Sequence, residues 1–348
     1  MSRASRARRI ATAAAFGAGG LGGVGALGGA ALYGLIVGET KLARRRIPAA
    51  TGIAPLIHDT TWAAEGVSAS RPPIRLALMG DSTAAGYGVH RDRDTPGVRL
   101  AIGISTVARR PVHLTNVAVV GADSRELPSQ LARLGDGIEL AVIMVGANDV
   151  THRVKPEDSV RALSETVQKL VTGGAEVVVG TCPDLGTVRP IAQPLRFVAR
   201  RVSRGLAAAQ TVAVVEAGGR TVSLGDLLGP LFARSRDMWA DDRFHPSAAG
   251  YAAAADAILP SALDALGLRT RTSAATPFSS QRARPVAKAA ARAASVPGTE
   301  VAASSQPNRR RVPVGPLAVL VRRRPQQGVR TAPESARPLD AGPLDAAR

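Results

Sequence analysis

The stretch "LALMGDSTAAGYGVH", residues 76–90, decides how this chain folds. Leu76, Ala77, Leu78 and Met79 are all apolar, as in a strand covered on both faces, and a Gly-Asp-Ser turn follows at once. Ser82 in that turn has two readings: a nucleophile presented just past a strand end, or the N-cap of the helix that follows, where serine is common. One serine cannot choose between them. Its partners elsewhere in the chain must.

Outward from this strand, short apolar runs alternate with longer amphipathic ones, the pattern of a parallel sheet covered by helices on both faces. Strands are expected at 74–79, 114–120, 140–145, 176–180 and 212–215, their Val/Ile/Leu content suiting burial on both sides. Helices are expected near 95–110, 124–134, 156–173, 190–209 and 247–266. The third begins "KPEDSV", with Pro and acids in its first turn, and Gly173 and Gly174 end it. The fold class is therefore α/β, a three-layer α/β/α sandwich around a five-stranded, mostly parallel sheet. In such sheets ligands bind beyond the carboxyl ends of the strands, where the connection order reverses. "GDST" (80–83), "GADS" (121–124) and "GAND" (146–149) each follow one of the first three expected strands.

The net charge of +18 is unevenly distributed. Residues 1–46 carry eight Lys/Arg and one Glu, residues 269–348 carry fifteen Lys/Arg and four Asp/Glu, and the stretch between balances 22 against 22. The argument from a basic chain to nucleic acid thus applies only to the flanks, and no specific nucleic-acid partner is expected. Three regions follow: 1–46, a basic-flanked N-terminal anchor; 47–268, a neutral globular domain; 269–348, a basic Ala/Pro/Arg-rich tail. Residues 10–38 are uncharged and long enough to span a bilayer, so an uncleaved membrane helix is expected, with a cleaved signal and secretion as the alternative. "GAGGLG" from Gly17 formally matches a dinucleotide fingerprint but lacks the βαβ context that the match requires. Composition makes the tail disordered, since it has too little apolar surface to offset ordering entropy. Its arginine triplets, 309–311 and 322–324, offer weak binding to anionic lipid or polymer. The single cysteine, Cys182, excludes an intrachain disulfide and reads as a buried strand end.

Nucleophilic catalysis by a hydroxyl needs a base, an acid that orients the base, and donors for the developing oxyanion. Of five histidines, His245 has an aspartate three residues before it on a stretch that leads into a helix, in "DDRFHPSAAGY". On a turn entering a helix, that spacing lets Asp242 reach Nδ1 and leaves Nε2 for the nucleophile. His58, His90 and His113 lack such a partner, and His152, just behind "GAND", is a candidate only for lining a pocket.

Together, "GDSTAAG" at 80–86, Gly121 in "NVAVVGADS", "GAND" at 146–149 and "DDRFHP" ending at Pro246 resemble the four sequence blocks of the SGNH, or GDSL-type, hydrolases, in the family's order. The resemblance implies the flavodoxin-like fold of that family, with Ser82 as nucleophile, His245 as base and Asp242 orienting it. It also implies an oxyanion hole made by the backbone N–H of Ser82, the backbone N–H of Gly121 and the side-chain amide of Asn148. Gly121 suits that role because no Cβ stands in front of its N–H. Thr83 departs from the leucine that many members carry, a change in packing behind Ser82. Asp81 and Asp149 read as braces for these loops. The GxSxG elbow of α/β-hydrolases is missing. The expected activity is hydrolysis of a small ester, short-chain acyl, acetylated carbohydrate or lipid-like, through an acyl-serine, with no cofactor and no metal. The alternatives are an acyltransferase or thioesterase of the same family, or a membrane-tethered scaffold without turnover. The resemblance to exported members and the uncharged run 10–38 imply a domain in the cell envelope, outside the plasma membrane.

Overall fold

The computed structural model describes residue 39, residues 59–268, and the segments 276–277, 284–293, 299–303, 317–322 and 337–338. The chain enters as β1 (Asp59–Ala63), then β2 (Ile74–Gly80), the single-turn α1 (Ser82–Ala85), α2 (Pro96–Ala108) and β3 (Val112–Asn116). Next come α3 (Leu127–Leu131), β4 (Leu140–Met144), α4 (Ala147–Thr151), α5 (Pro156–Thr172) and β5 (Glu176–Gly180). The domain ends with α6 (Leu195–Glu216), β6 (Arg220–Val222), α7 (Leu224–Arg234) and α8 (Ala248–Ala265).

Five strands, β3-β2-β4-β5-β6, lie parallel and in that order. The chain moves from β2 to β3 on one side and then returns to β4 on the other, so β2 is the topological switch point. Its pleat separates two cores. Leu76 and Leu78 join Val98, Leu100 and Ile104 of α2 and Ile258 and Ala262 of α8 on one face. Ala77 and Met79 join Leu163 and Val167 of α5 and Val214 of α6 on the other. That alternation within one apolar run is the period-two geometry of a strand buried twice.

The start of α2 shows how local sequence sets the elements. Thr95 caps it, its hydroxyl accepting from the N–H of Val98, and Pro96 occupies the first turn where no N–H is missed. Arg109 ends it in the left-handed conformation, φ 53°.

The sheet is larger and more mixed than five strands. β1 runs antiparallel to β3, pairing Thr60 with Leu114 and Trp62 with Val112, and Arg337–Pro338 extends that edge. The expected strand at 212–215 is instead the end of α6. A four-residue β-branched run does not distinguish a strand from a buried helical turn. Here the helix-forming run of Leu, Arg and Ala before it carries the helix through to Glu216, and the fifth parallel strand is the short "RTV" after it. The helix expected over 124–134 is a 3-10 turn, Ser124–Glu126, leading into α3, whose first residues include Pro128.

The tail is not disordered throughout. Thr299–Ala303 adds antiparallel to β6, Leu317–Arg322 adds to it in turn, and the helix Val286–Ala293 packs on α6. Val286, Ala289, Val301 and Leu320 bury themselves against Val212 and Val215. These small residues need no core of their own, because the open edge of β6 supplies backbone partners and α6 supplies the apolar face. The expected membrane span, 10–38, lies outside the described residues; among the described residues no helix is long and apolar enough to cross a membrane.

Candidate active site

Ser82 follows β2 directly, and the backbone there is built around glycine. Gly80 has φ 134°, and a Cβ on it would sit 1.9 Å from the carbonyl oxygen of Met144 on β4. Only glycine permits that approach. Asp81, not Ser82, is the N-cap of α1: its carboxylate accepts from the N–H of Thr83 at 2.8 Å. The capping reading of Ser82 therefore fails, and its hydroxyl is left for other partners.

The partner is 163 residues away. Nε2 of His245 lies 2.9 Å from Oγ of Ser82, and Nδ1 lies 2.5 Å from Oδ2 of Asp242. Asp242 is 2% exposed, and its other oxygen accepts the backbone N–H groups of Phe244 and His245, each at 2.9 Å. Burial raises its carboxyl, but the His245 ring and those two N–H groups outweigh burial and hold it below the usual carboxylate range. It is ionised wherever the imidazole needs an acceptor. Tyr87 and Phe244 meet the imidazole edge to face at 4.8 and 5.0 Å, fixing its plane.

The two flanking loops carry the remaining residues. Asn148, at the start of α4, donates one amide proton to the carbonyl of Ala122 at 2.9 Å, so its second proton stays available. Gly121 has φ 86°, and the N–H groups of Ser82 and Gly121 are not taken up by backbone acceptors among the described residues. A Cβ at Gly121 would meet nothing within 4 Å, so the backbone angle, and not space in front of the N–H, accounts for glycine here. Asp149 ties the loops together: it accepts from both the N–H and the hydroxyl of Ser124, at 3.2 and 3.1 Å, and Ser159 donates to that hydroxyl at 3.1 Å. Asp81 is buried, which pushes its carboxyl up to about 6 against the opposing hydrogen bonds of Thr83. Burial likewise raises Asp149.

A cleft of about 800 Å³, counted out to its mouth, opens beside Ser82 and His245. Its walls are mostly apolar: Met144, Leu185, Leu224, Phe232, Trp239 and Phe244. Neither Gly121, Asn148 nor His152 lines it. His152 instead faces Asp123, 3.3 Å away, while His113 bridges Thr61 and Asp59 on the outer strands. His90 is exposed, and His58 lies outside the described residues. Cys182 is buried, and burial raises its thiol well above the ordinary range.

Three residues that position the site escape sequence reasoning. Gln130, fully buried, exchanges two 2.8 Å hydrogen bonds with the N–H and carbonyl of Gly80. Gln210 bridges the ends of β4 and β5, accepting from the N–H of Cys182 at 2.8 Å and donating to the carbonyl of Val145 at 3.1 Å. Tyr251, six residues past His245, donates its hydroxyl to the carbonyl of Tyr87 at 2.6 Å, behind α1. A polar residue in an otherwise apolar helical stripe was the one signal available.

Residues 78–253 match the GDSL-like lipase/acylhydrolase family. The GDSL-like esterase Rv1075c of Mycobacterium tuberculosis is 41% identical over 242 residues, covering 67% of this chain and 77% of that protein. Among solved structures, LAE5, an alpha/beta hydrolase enzyme from the metagenome of Lake Arreo, is 20% identical with a TM-score of 0.45, covering 60% of this chain and 98% of that one. Axe2, an acetylxylan esterase from Geobacillus stearothermophilus, is 17% identical with a TM-score of 0.41, covering 59% and 99%. On the family match and the curated relative, the chain belongs to the GDSL-like lipase/acylhydrolase family.

Proposed function

We propose that this chain is a serine esterase that cleaves carboxylic esters through an acyl-serine intermediate. The observation that carries the reading is the unbroken line from Asp242 through His245 to Ser82, at 2.5 and 2.9 Å. Ser82 Oγ attacks the ester carbonyl while Nε2 of His245 takes its proton, and Asp242 stabilises the imidazolium that forms. The carbonyl oxygen becomes an anion, which the N–H groups of Ser82 and Gly121 and the free amide proton of Asn148 receive. His245 returns the proton to the leaving alcohol. Water then attacks the acyl-serine by the same route, releasing the acid. The apolar lining of the cleft supports an apolar acyl group, and the relative in Mycobacterium tuberculosis, named an esterase, supports the reaction class.

The test is hydrolysis of 4-nitrophenyl acetate, butanoate and octanoate by the full chain beside its Ser82→Ala variant. Removing the nucleophile of such a triad lowers kcat by roughly 10⁶-fold. Equal rates for the two proteins would end the esterase reading.

A further inference from the structure

The turn that carries His245 has a second, outer face. Trp239, Ala240, Asp241 and Arg243 on that face, with Arg189 and Arg236, line an open pocket of about 670 Å³. The three arginines are exposed, and Asp241 is the one carboxylate in the lining. Arg189 is held by a bond from Nη2 to the carbonyl of Ala233 at 2.7 Å. Among the described residues, neither Arg236 nor Arg243 lies within ion-pair distance of a carboxylate. Elsewhere in this charge-balanced domain arginines do pair: Arg99 with Asp94, Arg125 with Asp123, Arg200 and Arg204 with Asp184.

Arg243 lies within that turn. Its φ is 58°, in the left-handed region where glycine or asparagine costs less than arginine. The turn imposes that angle through the bond from the Arg243 N–H to the carbonyl of Ala240 and through the Asp242 carboxylate that receives Phe244. Arg109 and Arg153 adopt the same conformation, so the angle marks the turn, and the pocket lining carries the argument.

Position relative to the chemistry follows from chain geometry. Arg243 and His245 are two residues apart, so their Cα atoms lie within about 7.6 Å. A Cβ on Gly88, in the loop after α1, would approach Ala240 to 3.1 Å and His245 to 3.3 Å, so the pocket wall and the imidazole share that neighbour. Trp239 lines both this pocket and the apolar cleft, and its indole N–H is fixed to the carbonyl of Phe232 at 2.9 Å. The pocket and the cleft thus share one rigid wall.

We propose that the arginine pocket binds an anionic group on the alcohol half of the ester, a carboxylate or a phosphate. This rests on the esterase reading, in which His245 protonates the leaving oxygen and so holds the alcohol against its own turn while the cleft takes the acyl half. Planar guanidinium groups suit both anions, because they can donate two parallel hydrogen bonds to either.

The test compares the butanoate esters of two 2-nitrophenols, 2-nitrophenyl butanoate and 3-(butanoyloxy)-4-nitrobenzoate, which differ by a ring carboxylate. The readout is the ratio of kcat/KM, charged over neutral. In the full chain carrying Arg236→Gln and Arg243→Gln that ratio should fall about tenfold, mostly through KM, as expected for two exposed charge contacts. The control for loss of a remote positive charge is Arg71→Gln. Arg71 is exposed and precedes β2, at the opposite end of the sheet, and its substitution should leave the ratio where it was. Competition by inorganic phosphate or by acetate at matched ionic strength separates the sources. Stronger inhibition by phosphate, lost in the double variant, assigns a phosphate; stronger inhibition by acetate assigns a carboxylate. An unchanged ratio in the double variant overturns the subsite. No Ser82-dependent turnover of either ester would instead remove the esterase reading and the subsite with it.

Discussion

Replacing Asp242 with asparagine should stop turnover while leaving the fold in place. Asparagine keeps an oxygen where Oδ1 accepts the N–H groups of Phe244 and His245, at 2.9 Å each, so the turn retains its internal bonds. Where Oδ2 stood, 2.5 Å from Nδ1, it presents an amide N–H instead. A donor there forces the neutral imidazole to keep its lone pair on Nδ1 and its proton on Nε2. Nε2, 2.9 Å from the Ser82 hydroxyl, can then no longer accept that proton. The imidazolium also loses the one carboxylate at contact distance among the described residues, a group buried to 2% exposure. Loss of a general base alone costs about 10²- to 10⁴-fold, and with the wrong tautomer the total reaches roughly 10⁴ in kcat, about 5 kcal/mol of barrier. The assay is kcat and KM for 4-nitrophenyl butanoate at mildly alkaline pH, with a thermal melt to exclude unfolding. KM should change little. A folded Asp242→Asn protein that kept more than about a tenth of wild-type kcat would refute the tautomer argument and the role given to this carboxylate.

Two further perturbations probe the scaffold. Asp81 has a folded pKa of about 6 against 3.8 for the free group, so its contribution to stability is present below pH 3.8 and is lost as pH rises through 6. Asp81→Asn, which keeps a cap oxygen for Thr83, should remove that loss, worth about 3 kcal/mol at most. In urea melts the variant should gain on wild type between pH 4 and 7.5, and a constant difference across that range would contradict the assignment. Gln130→Leu leaves the N–H of Gly80 buried without its partner and should cost about 2 kcal/mol, a fall of roughly 4–8 °C in Tm with a drop in kcat. A Tm matching wild type would show that the glutamine does not hold the strand end.

Sequence and structure part company at a physical boundary, visible in individual residues. β2, β4 and β5 were legible because each is an apolar run bounded by turn residues, and burial on both faces demands that composition; β3, "VHLTN" at Val112–Asn116, alternates apolar with polar residues, so the strand expected at 114–120 overlaps it by only three. The approach of Ser82, Asp242 and His245 was legible for a different reason: Asp242 and His245 sit on one turn, and Ser82 stands at the strand end that parallel topology makes a ligand site. What stayed hidden depends on contacts between distant segments. Val212 and Val215 read as a strand until Val301 and Leu320, about ninety to a hundred residues on, are seen to cover them as part of a helix. Asp81 takes the cap that serine would ordinarily take, because its neighbour Ser82 has His245 as a partner. The same competition explains Gln130 and Gln210. Parallel strands that stop side by side at a cleft leave backbone groups without ladder partners, and those groups cannot be hydrated once the apolar walls close over them. A side-chain amide, donor and acceptor at once, meets that need with one residue, so each glutamine spans two polar groups where two separate side chains would not fit. The strand ends that present Ser82 and its neighbours are therefore tied by amides in α3 and α6 that lie outside the four sequence blocks, at positions whose side chains bond backbone groups.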